Sequence, residues 1–135
     1  MRKILSIDGG GIRGIIPSLL LHYLEGQSGK PIAELFDLCV GTSSGGITAL
    51  GLAQQDEVGH PKYSAYDLAA FFENSGAKIF KKTVWRNIRS AGGVLDELYS
   101  PKPLEGALRK YYGRTRLGDT LGSTMVTTYD IEARR

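Results

Sequence analysis

Residues 36–46 decide the fold and read Phe-Asp-Leu-Cys-Val-Gly-Thr-Ser-Ser-Gly-Gly. The stretch begins with a short apolar run, Phe36–Val40, which is typical of a buried strand ended by glycine. A second apolar run, Ile47–Ala53, follows the glycines and has the composition of a helix buried on most sides. The stretch therefore predicts a strand, a tight turn and a helix in direct succession.

The turn contains the pattern G-x-S-x-G centred on Ser43, with Gly41 and Gly45 two residues away on either side. A serine on a sharp strand-to-helix turn needs such neighbours without side chains. Ser44 cannot be the centre, because Thr42 stands two residues before it. We predict that Ser43 is a catalytic nucleophile, the alternative being a turn in which a serine merely caps the helix. The predicted nucleophile elbow around it comprises Gly41, Thr42, Ser44, Gly45 and Gly46.

A second glycine turn follows the first predicted strand, Lys3–Asp8, and precedes a helix predicted from Ile15 to Glu25 and closed by Gly26. Because both turns follow strands, they lie at the same edge of a parallel sheet. Bare amides at a helix N-terminus can stabilise an oxyanion, and Arg13 adds positive charge. The predicted oxyanion hole comprises Gly9, Gly10, Gly11, Ile12, Arg13 and Gly14.

The same glycine pattern, G-x-G-x-x-G, also occurs in dinucleotide-binding domains, and this is one alternative. Asp8 directly precedes the first glycine and would place a carboxylate beside the phosphates. A ribose-binding acid is expected at the end of the second strand, but the only acid there, Asp37, stands near its start. The pattern therefore gives dinucleotide binding only weak support.

The remaining segments continue the alternation of helix and strand. Ser64 and Asp67 form a capping-box-like helix start, and Pro103 is placed as the first-turn proline of another helix. Met125–Ile131 has the β-branched and aromatic composition of a strand. This order predicts an α/β fold with a mostly parallel sheet. We expect a single domain in residues 1–135, truncated before its last strands because the chain ends directly after one.

The composition excludes several classes of protein. Hydrophobic residues at 41% and charged residues at 23% are ordinary for a globular chain, which excludes disorder. One cysteine, Cys39, and two histidines are too few for a disulfide framework or a zinc cage, and we expect no metal or cofactor. The net charge of +3 does not indicate nucleic acid. The longest apolar segment is too short to span a bilayer, and we expect a cytoplasmic protein.

At its two glycine motifs the sequence resembles the patatin-like phospholipase family, and the resemblance covers essentially the whole chain. The matching residues are Ile7–Gly14, Phe36–Leu38, Gly41–Gly46, Pro103–Glu105 and Tyr129–Glu132. The resemblance implies a three-layer α/β/α fold and a lipid or phospholipid substrate. It also implies phospholipase A-like acyl hydrolysis by a Ser–Asp dyad, with Ser43 as the nucleophile that carries the acyl group and Gly9–Gly11 as the oxyanion hole.

The aspartate of that dyad stands in an Asp-Gly-Gly or Asp-Gly-Ala segment downstream of the serine, and this chain departs from the pattern. Its only Asp-Gly is Asp8-Gly9, which belongs to the glycine turn. The aspartates that follow the serine all lack a following glycine; they are Asp56, Asp67, Asp96, Asp119 and Asp130. We expect the base beyond Arg135, so that residues 1–135 are the N-terminal portion of a patatin-like domain and inactive alone. The alternative is a lipid- or partner-binding fragment without catalysis.

A Ser-His-Asp triad does not fit the chain. Only His60 follows Ser43, and the acids between them, Asp56 and Glu57, stand a few residues from that histidine. We expect His22 to be a partly buried surface histidine and the single cysteine to be buried in the core.

The segment Lys78–Arg89 combines basic residues with Phe80 and Trp85 and contains no acid. Such a composition suits peripheral contact with an anionic membrane surface, the alternative being a solvated basic face. We expect no nucleic-acid partner, and the sequence predicts no oligomeric state.

Overall fold

The computed structural model describes residues 1–79 and 102–128. Its helices and strands are β1 (Ile4–Ile7), a 3₁₀ turn (Gly11–Gly14), α1 (Ile15–Ser28), α2 (Ile32–Leu35), β2 (Leu38–Thr42), α3 (Ser44–Leu52), α4 (Ala65–Ile79), α5 (Lys102–Tyr112), a second 3₁₀ turn (Leu117–Asp119) and β3 (Ser123–Thr127). The alternation of strands and helices confirms the predicted α/β fold.

The three strands form one parallel sheet in the order β1-β2-β3. Pairing of β1 with β2 places Ile7 opposite Gly41, and pairing of β2 with β3 places Thr42 opposite Thr127. Because the strands run in the same direction, their carboxyl ends share one edge of the sheet. This edge carries both glycine turns, as predicted.

Buried apolar side chains from strands and helices form one core. α3 packs against all three strands, and α1 packs along α4. The core cluster comprises Ile7, Leu21, Ile32, Cys39, Ala49, Leu52, Ala65 and Leu68. Cys39 is buried as expected, and burial raises the pKa of its thiol. Phe71 and Phe72 of α4 are also buried and meet edge to face, which extends the core toward the 3₁₀ turn.

Two helix boundaries differ from the sequence expectations. Gly26 does not close α1 but lies inside it, and the helix ends at Gly29, whose φ of 65° is left-handed. α3 begins at Ser44 and not at Ile47. The N–H of Ile47 donates to the carbonyl oxygen of Ser43 at 3.1 Å, so the first helical turn closes directly over the two glycines.

Among the other elements, β2 runs from Leu38 to Thr42 and not from Phe36 to Val40, so Gly41 lies inside the strand and does not end it. At the start of α4, the N–H of Ser64 donates to the Asp67 carboxylate at 2.8 Å and the N–H of Asp67 donates to the Ser64 hydroxyl at 3.2 Å, which confirms the capping box. The last strand begins at Ser123, two residues before its predicted start. Residues 129–132 and nearly all of the Lys78–Arg89 segment lie outside the described residues.

Replacing Thr124 with valine should stabilise the fold. The Thr124 hydroxyl is buried on β3 without a hydrogen-bond partner among the described residues. Such a group costs roughly 1–3 kcal/mol, so valine should raise the free energy of unfolding by about 1 kcal/mol. Thr127→Val removes an exposed hydroxyl from the same strand and should change the free energy of unfolding by less than about 0.5 kcal/mol. Urea unfolding measures both, and a lower midpoint for Thr124→Val contradicts the prediction.

Candidate active site

Ser43 lies on the turn between β2 and α3 in a strained backbone conformation. Its φ is 51° and its ψ is −123°. Within the described part of the chain, no other non-glycine residue has a positive φ. A side chain held in this region costs on the order of 1–3 kcal/mol, which the surrounding structure must offset. The residue is exposed at the carboxyl edge of the sheet, where a substrate can reach it.

Glycines allow this turn to pack closely against the sheet. A Cβ on Gly41 would lie 2.2 Å from the carbonyl oxygen of Gly45, and a Cβ on Gly45 would lie 2.1 Å from the carbonyl oxygen of Ile7. Both contacts are with backbone atoms, which cannot move aside as a side chain can. The first turn of α3 therefore sits directly on the carboxyl end of β1.

The glycine turn after β1 is in direct contact with the serine turn. A Cβ on Gly9 would lie 2.8 Å from both the Ser43 Cβ and the Thr42 carbonyl oxygen. The N–H of Gly9 donates to Thr42 Oγ1 at 2.8 Å, and the N–H of Gly10 donates to Ser44 Oγ at 2.9 Å. The two turns that the sequence places at one edge thus form one unit.

The next two amides of the glycine turn begin the 3₁₀ turn. Gly11 has a φ of 59°, a conformation that favours glycine. Among the described residues, the N–H groups of Gly11 and Ile12 have no acceptor, as is usual for the first amides of a helix. Arg13 donates to the Gly10 carbonyl oxygen from its backbone N–H at 3.2 Å and from Nε at 3.4 Å. The arrangement offers two amides and a helix N-terminus to a negative charge.

Helix α4 supports the 3₁₀ turn. A Cβ on Gly14 would lie 2.7 Å from Cζ of Phe72. The helix therefore approaches the turn more closely than a residue with a side chain at position 14 would allow. Gly76 of the same helix packs against the side chain of Ile12, where a Cβ would lie 2.9 Å from Cγ1. Among the predicted oxyanion-hole residues, Gly14 and Ile12 are thus the ones in contact with α4.

An apolar groove of about 400 Å³ opens beside the glycine turn, between β1 and α1. Gly9, Gly10 and Arg13 also line it. Its apolar lining consists of Leu5, Ile7, Ile16, Pro17, Leu20 and Leu21. Ile16 and Leu20 are 56% and 66% exposed, so α1 presents large apolar side chains to solvent next to the turn.

The two histidines occupy other parts of the structure. His22 on α1 is exposed, not partly buried, and its ring lies 5.1 Å from that of Tyr66. The backbone N–H of His60 donates to the Asp56 carboxylate at 2.8 Å. This bond is the main reason that the pKa of Asp56 is lowered.

Several described aspartates have structural roles. The carboxylate of Asp37 accepts a hydrogen bond from the backbone N–H of Lys3, and that of Asp67 accepts one from the backbone N–H of Ser64 at the start of α4. Asp96 and Asp130 lie outside the described residues. Within residues 1–79 and 102–128, no group of three His, Cys, Asp or Glu side chains could hold a metal ion.

Glu25 has a role that the sequence did not indicate. Its carboxylate accepts hydrogen bonds from the N–H of Ile32 at 3.1 Å and from the N–H of Ala65 at 2.9 Å. These amides open α2 and α4, so one carboxylate on α1 joins three helices. The partners stand 7 and 40 residues away, and no local pattern marks the second of them.

The fold and this edge define an α/β protein with a strained serine packed against a glycine turn. The family model described as Patatin-like phospholipase matches residues 5–129. The chain therefore belongs to the patatin-like phospholipase family, which confirms the resemblance seen in the sequence.

Curated relatives cover nearly all of the chain. Patatin-like protein 1 of Oryza sativa subsp. indica is 34% identical over 134 residues, which cover 95% of this chain and 32% of that protein. Patatin-like protein 1 of Arabidopsis thaliana is 37% identical over 140 residues, which cover 96% of this chain and 33% of that protein. Patatin-T5 of Solanum tuberosum is 33% identical over 142 residues, with 100% and 35% coverage. The chain thus spans about a third of the length of these relatives.

Gly45→Ala should destabilise the protein, because the new Cβ would lie 2.1 Å from the backbone oxygen of Ile7. We expect a loss of about 3 kcal/mol, as for an overpacked core position. Gly26 in α1 is the matched control, since a Cβ there has no atom within 4 Å. Gly26→Ala should stabilise the protein by roughly 0.5–1 kcal/mol. Thermal unfolding of the two variants checks this, and equal midpoints contradict the proposed close contact.

Proposed function

We propose that this chain carries the nucleophile and the oxyanion hole of a serine lipid acyl hydrolase of the phospholipase A type. The observation that carries the proposal is the strained backbone of Ser43 in contact with Gly9 of the glycine turn. Strained residues cluster at active sites, where the surrounding packing holds them. Membership in the patatin-like phospholipase family supports the reaction class.

In the proposed reaction, Ser43 Oγ attacks the carbonyl carbon of the acyl ester. A general base takes the hydroxyl proton as the new C–O bond forms, and the carbonyl oxygen becomes an oxyanion. The N–H groups of Gly11 and Ile12, with that of Ser44 at the start of α3, stabilise this charge. When the tetrahedral oxyanion intermediate collapses, the alcohol or lysolipid leaves and receives the proton from the base. Water then hydrolyses the acyl-serine by the same route.

We propose that the base is an aspartate outside residues 1–135. Described aspartates that follow the serine in sequence bind backbone amides: Asp67 at the start of α4 and Asp119 in the second 3₁₀ turn. Asp56 accepts from two backbone amides, and its lowered pKa makes it a weaker base. On this proposal residues 1–135 are the N-terminal portion of a single phospholipase domain.

The apolar groove supports a lipid substrate, because it offers large aliphatic side chains beside Gly9 and Gly10 of the glycine turn. No helix in the described ranges is long and apolar enough to cross a membrane. We propose that a cytoplasmic enzyme reaches its lipid by peripheral contact with an anionic surface, which the basic and aromatic composition of residues 78–89 suits.

Ser43→Ala should abolish ester hydrolysis, because no acyl-serine can form. In the protein as its gene encodes it, we expect turnover of a short p-nitrophenyl ester to fall at least about 1,000-fold. The free energy of unfolding should change by less than about 1 kcal/mol, since alanine keeps the same backbone strain. Ser43→Gly should be equally inactive but more stable.

Ser123→Ala on β3 removes an exposed serine and serves as the control, with wild-type turnover expected. Turnover that survives Ser43→Ala contradicts the proposed mechanism. Vesicle binding without any hydrolysis by the wild-type protein favours a lipid-binding role instead.

Residues 1–135 alone should turn over a short acyl ester at least about 100-fold more slowly than a form extending beyond Arg135 into an Asp-Gly-Gly or Asp-Gly-Ala segment, because the general base is absent. Initial rates at equal concentration of folded protein make the comparison. Equal rates for the two forms contradict an external base and place it among the aspartates of this chain.

A further inference from the structure

The residues on either side of Ser43 both hold the glycine turn through side-chain hydroxyls. Thr42 Oγ1 accepts the N–H of Gly9 at 2.8 Å, and Ser44 Oγ accepts the N–H of Gly10 at 2.9 Å. The consecutive amides of Gly9 and Gly10 are thus bound by the residues immediately before and immediately after Ser43. We call these two hydrogen bonds the hydroxyl clamp.

We propose that Thr42 and Ser44 are positioning residues, whose hydroxyl clamp fixes the free amides of Gly11 and Ile12 relative to the Ser43 hydroxyl. The inference rests on the proposed function, because it assigns these amides to the substrate oxyanion. Three consecutive glycines have wide backbone freedom. Without an anchor, the turn loses conformational entropy each time its amides bind an oxyanion. Donors that are fixed in advance avoid this loss.

The carbonyl side of Gly10 is anchored as well. Both the backbone N–H and Nε of Arg13 donate to its oxygen, at 3.2 Å and 3.4 Å. The peptide groups before and after the Gly10 Cα are therefore both hydrogen-bonded. The next amide, that of Gly11, has no acceptor among the described residues and lies where a left-handed φ redirects the chain.

The two halves of the hydroxyl clamp differ in burial. Ser44 is 1% exposed, so removing its hydroxyl leaves a shielded Gly10 amide without an acceptor and lowers stability. Thr42 is exposed, and water can replace its hydroxyl in solvating the Gly9 amide. Substitution of Thr42 therefore loosens the turn with little effect on folding and gives the cleaner functional test.

The test compares Thr42→Val, Thr42→Ser and Thr127→Val in the protein as its gene encodes it, with a short p-nitrophenyl ester as substrate. Valine keeps the shape of threonine but removes the acceptor, and serine keeps the acceptor. We expect Thr42→Val to lower kcat about tenfold with KM changed less than about twofold. Thr42→Ser should restore kcat to near the wild-type value. Thr127→Val removes the hydroxyl of the residue paired with Thr42 on β3 and should leave both parameters unchanged.

Outcomes separate this inference from the proposed function. If Ser43→Ala abolishes turnover while Thr42→Val keeps the wild-type kcat, the hydroxyl clamp is overturned and the proposed function stands. If Ser43→Ala retains turnover, the proposed function itself fails. A loss of kcat in Thr42→Val that Thr42→Ser does not restore shows a packing defect and also overturns the clamp.

Amide exchange in the wild-type protein labelled with ¹⁵N-glycine gives a second measurement that needs no folded variant. The hydroxyl clamp predicts that the Gly10 amide exchanges at least about tenfold more slowly than the Gly11 amide, since only the former has an acceptor among the described residues. Equal exchange of these two amides overturns the inference.

Discussion

The close contact between Gly45 and the carbonyl oxygen of Ile7 is the constraint on which the site depends. Parallel pairing brings the ends of β1 and β2 to one edge, but pairing alone does not fix how far the following turns stand apart. With only hydrogen on Gly45, the first turn of α3 settles on the end of β1. Ser43 then lies against Gly9, and the amides of the glycine turn come within reach of the hydroxyls beside the serine. A side chain at Gly45 or at Gly9 would force the two turns apart.

The strain at Ser43 is held because α3 is buried and braced from several sides. Most of its residues are buried, and Gly51 lets Leu68 of α4 pack where a Cβ would lie 2.5 Å from Cδ2. The hydroxyl of Tyr112 on α5 donates to the Ile47 carbonyl oxygen at 2.6 Å. Burial raises the pKa of Tyr112 and so further favours the protonated hydroxyl that donates this bond. The burial of one helix in a shared core offsets a local cost on the order of 1–3 kcal/mol.

The sequence predicts those features of the fold that depend on a local pattern of residues. The strand, turn and helix around residues 36–53 follow from apolar runs and glycines, and the parallel order places both glycine turns at one edge. The end of α1 could not be read from Gly26, because glycine is tolerated inside a helix and Gly29 offered an equally local signal. The hydroxyl-to-amide contacts of Thr42 and Ser44 join residues 33 and 34 positions apart. Such contacts depend on the distance between the two turns, which no periodicity encodes.

The same contacts explain why a G-x-G-x-x-G sequence need not bind a dinucleotide. In a phosphate-binding turn, several consecutive amides face the ligand and share its charge. Here the amides of Gly9 and Gly10 are already bound to hydroxyls of the same protein, so a diphosphate would have to break both hydrogen bonds. In the part of the chain that the structure describes, the amides of Gly11 and Ile12 are left without an acceptor, and two donors suit one oxygen better than the several oxygens of a diphosphate. The hydroxyls on β2 and α3 therefore leave the glycine turn with fewer unbound amides than its glycine pattern alone would suggest.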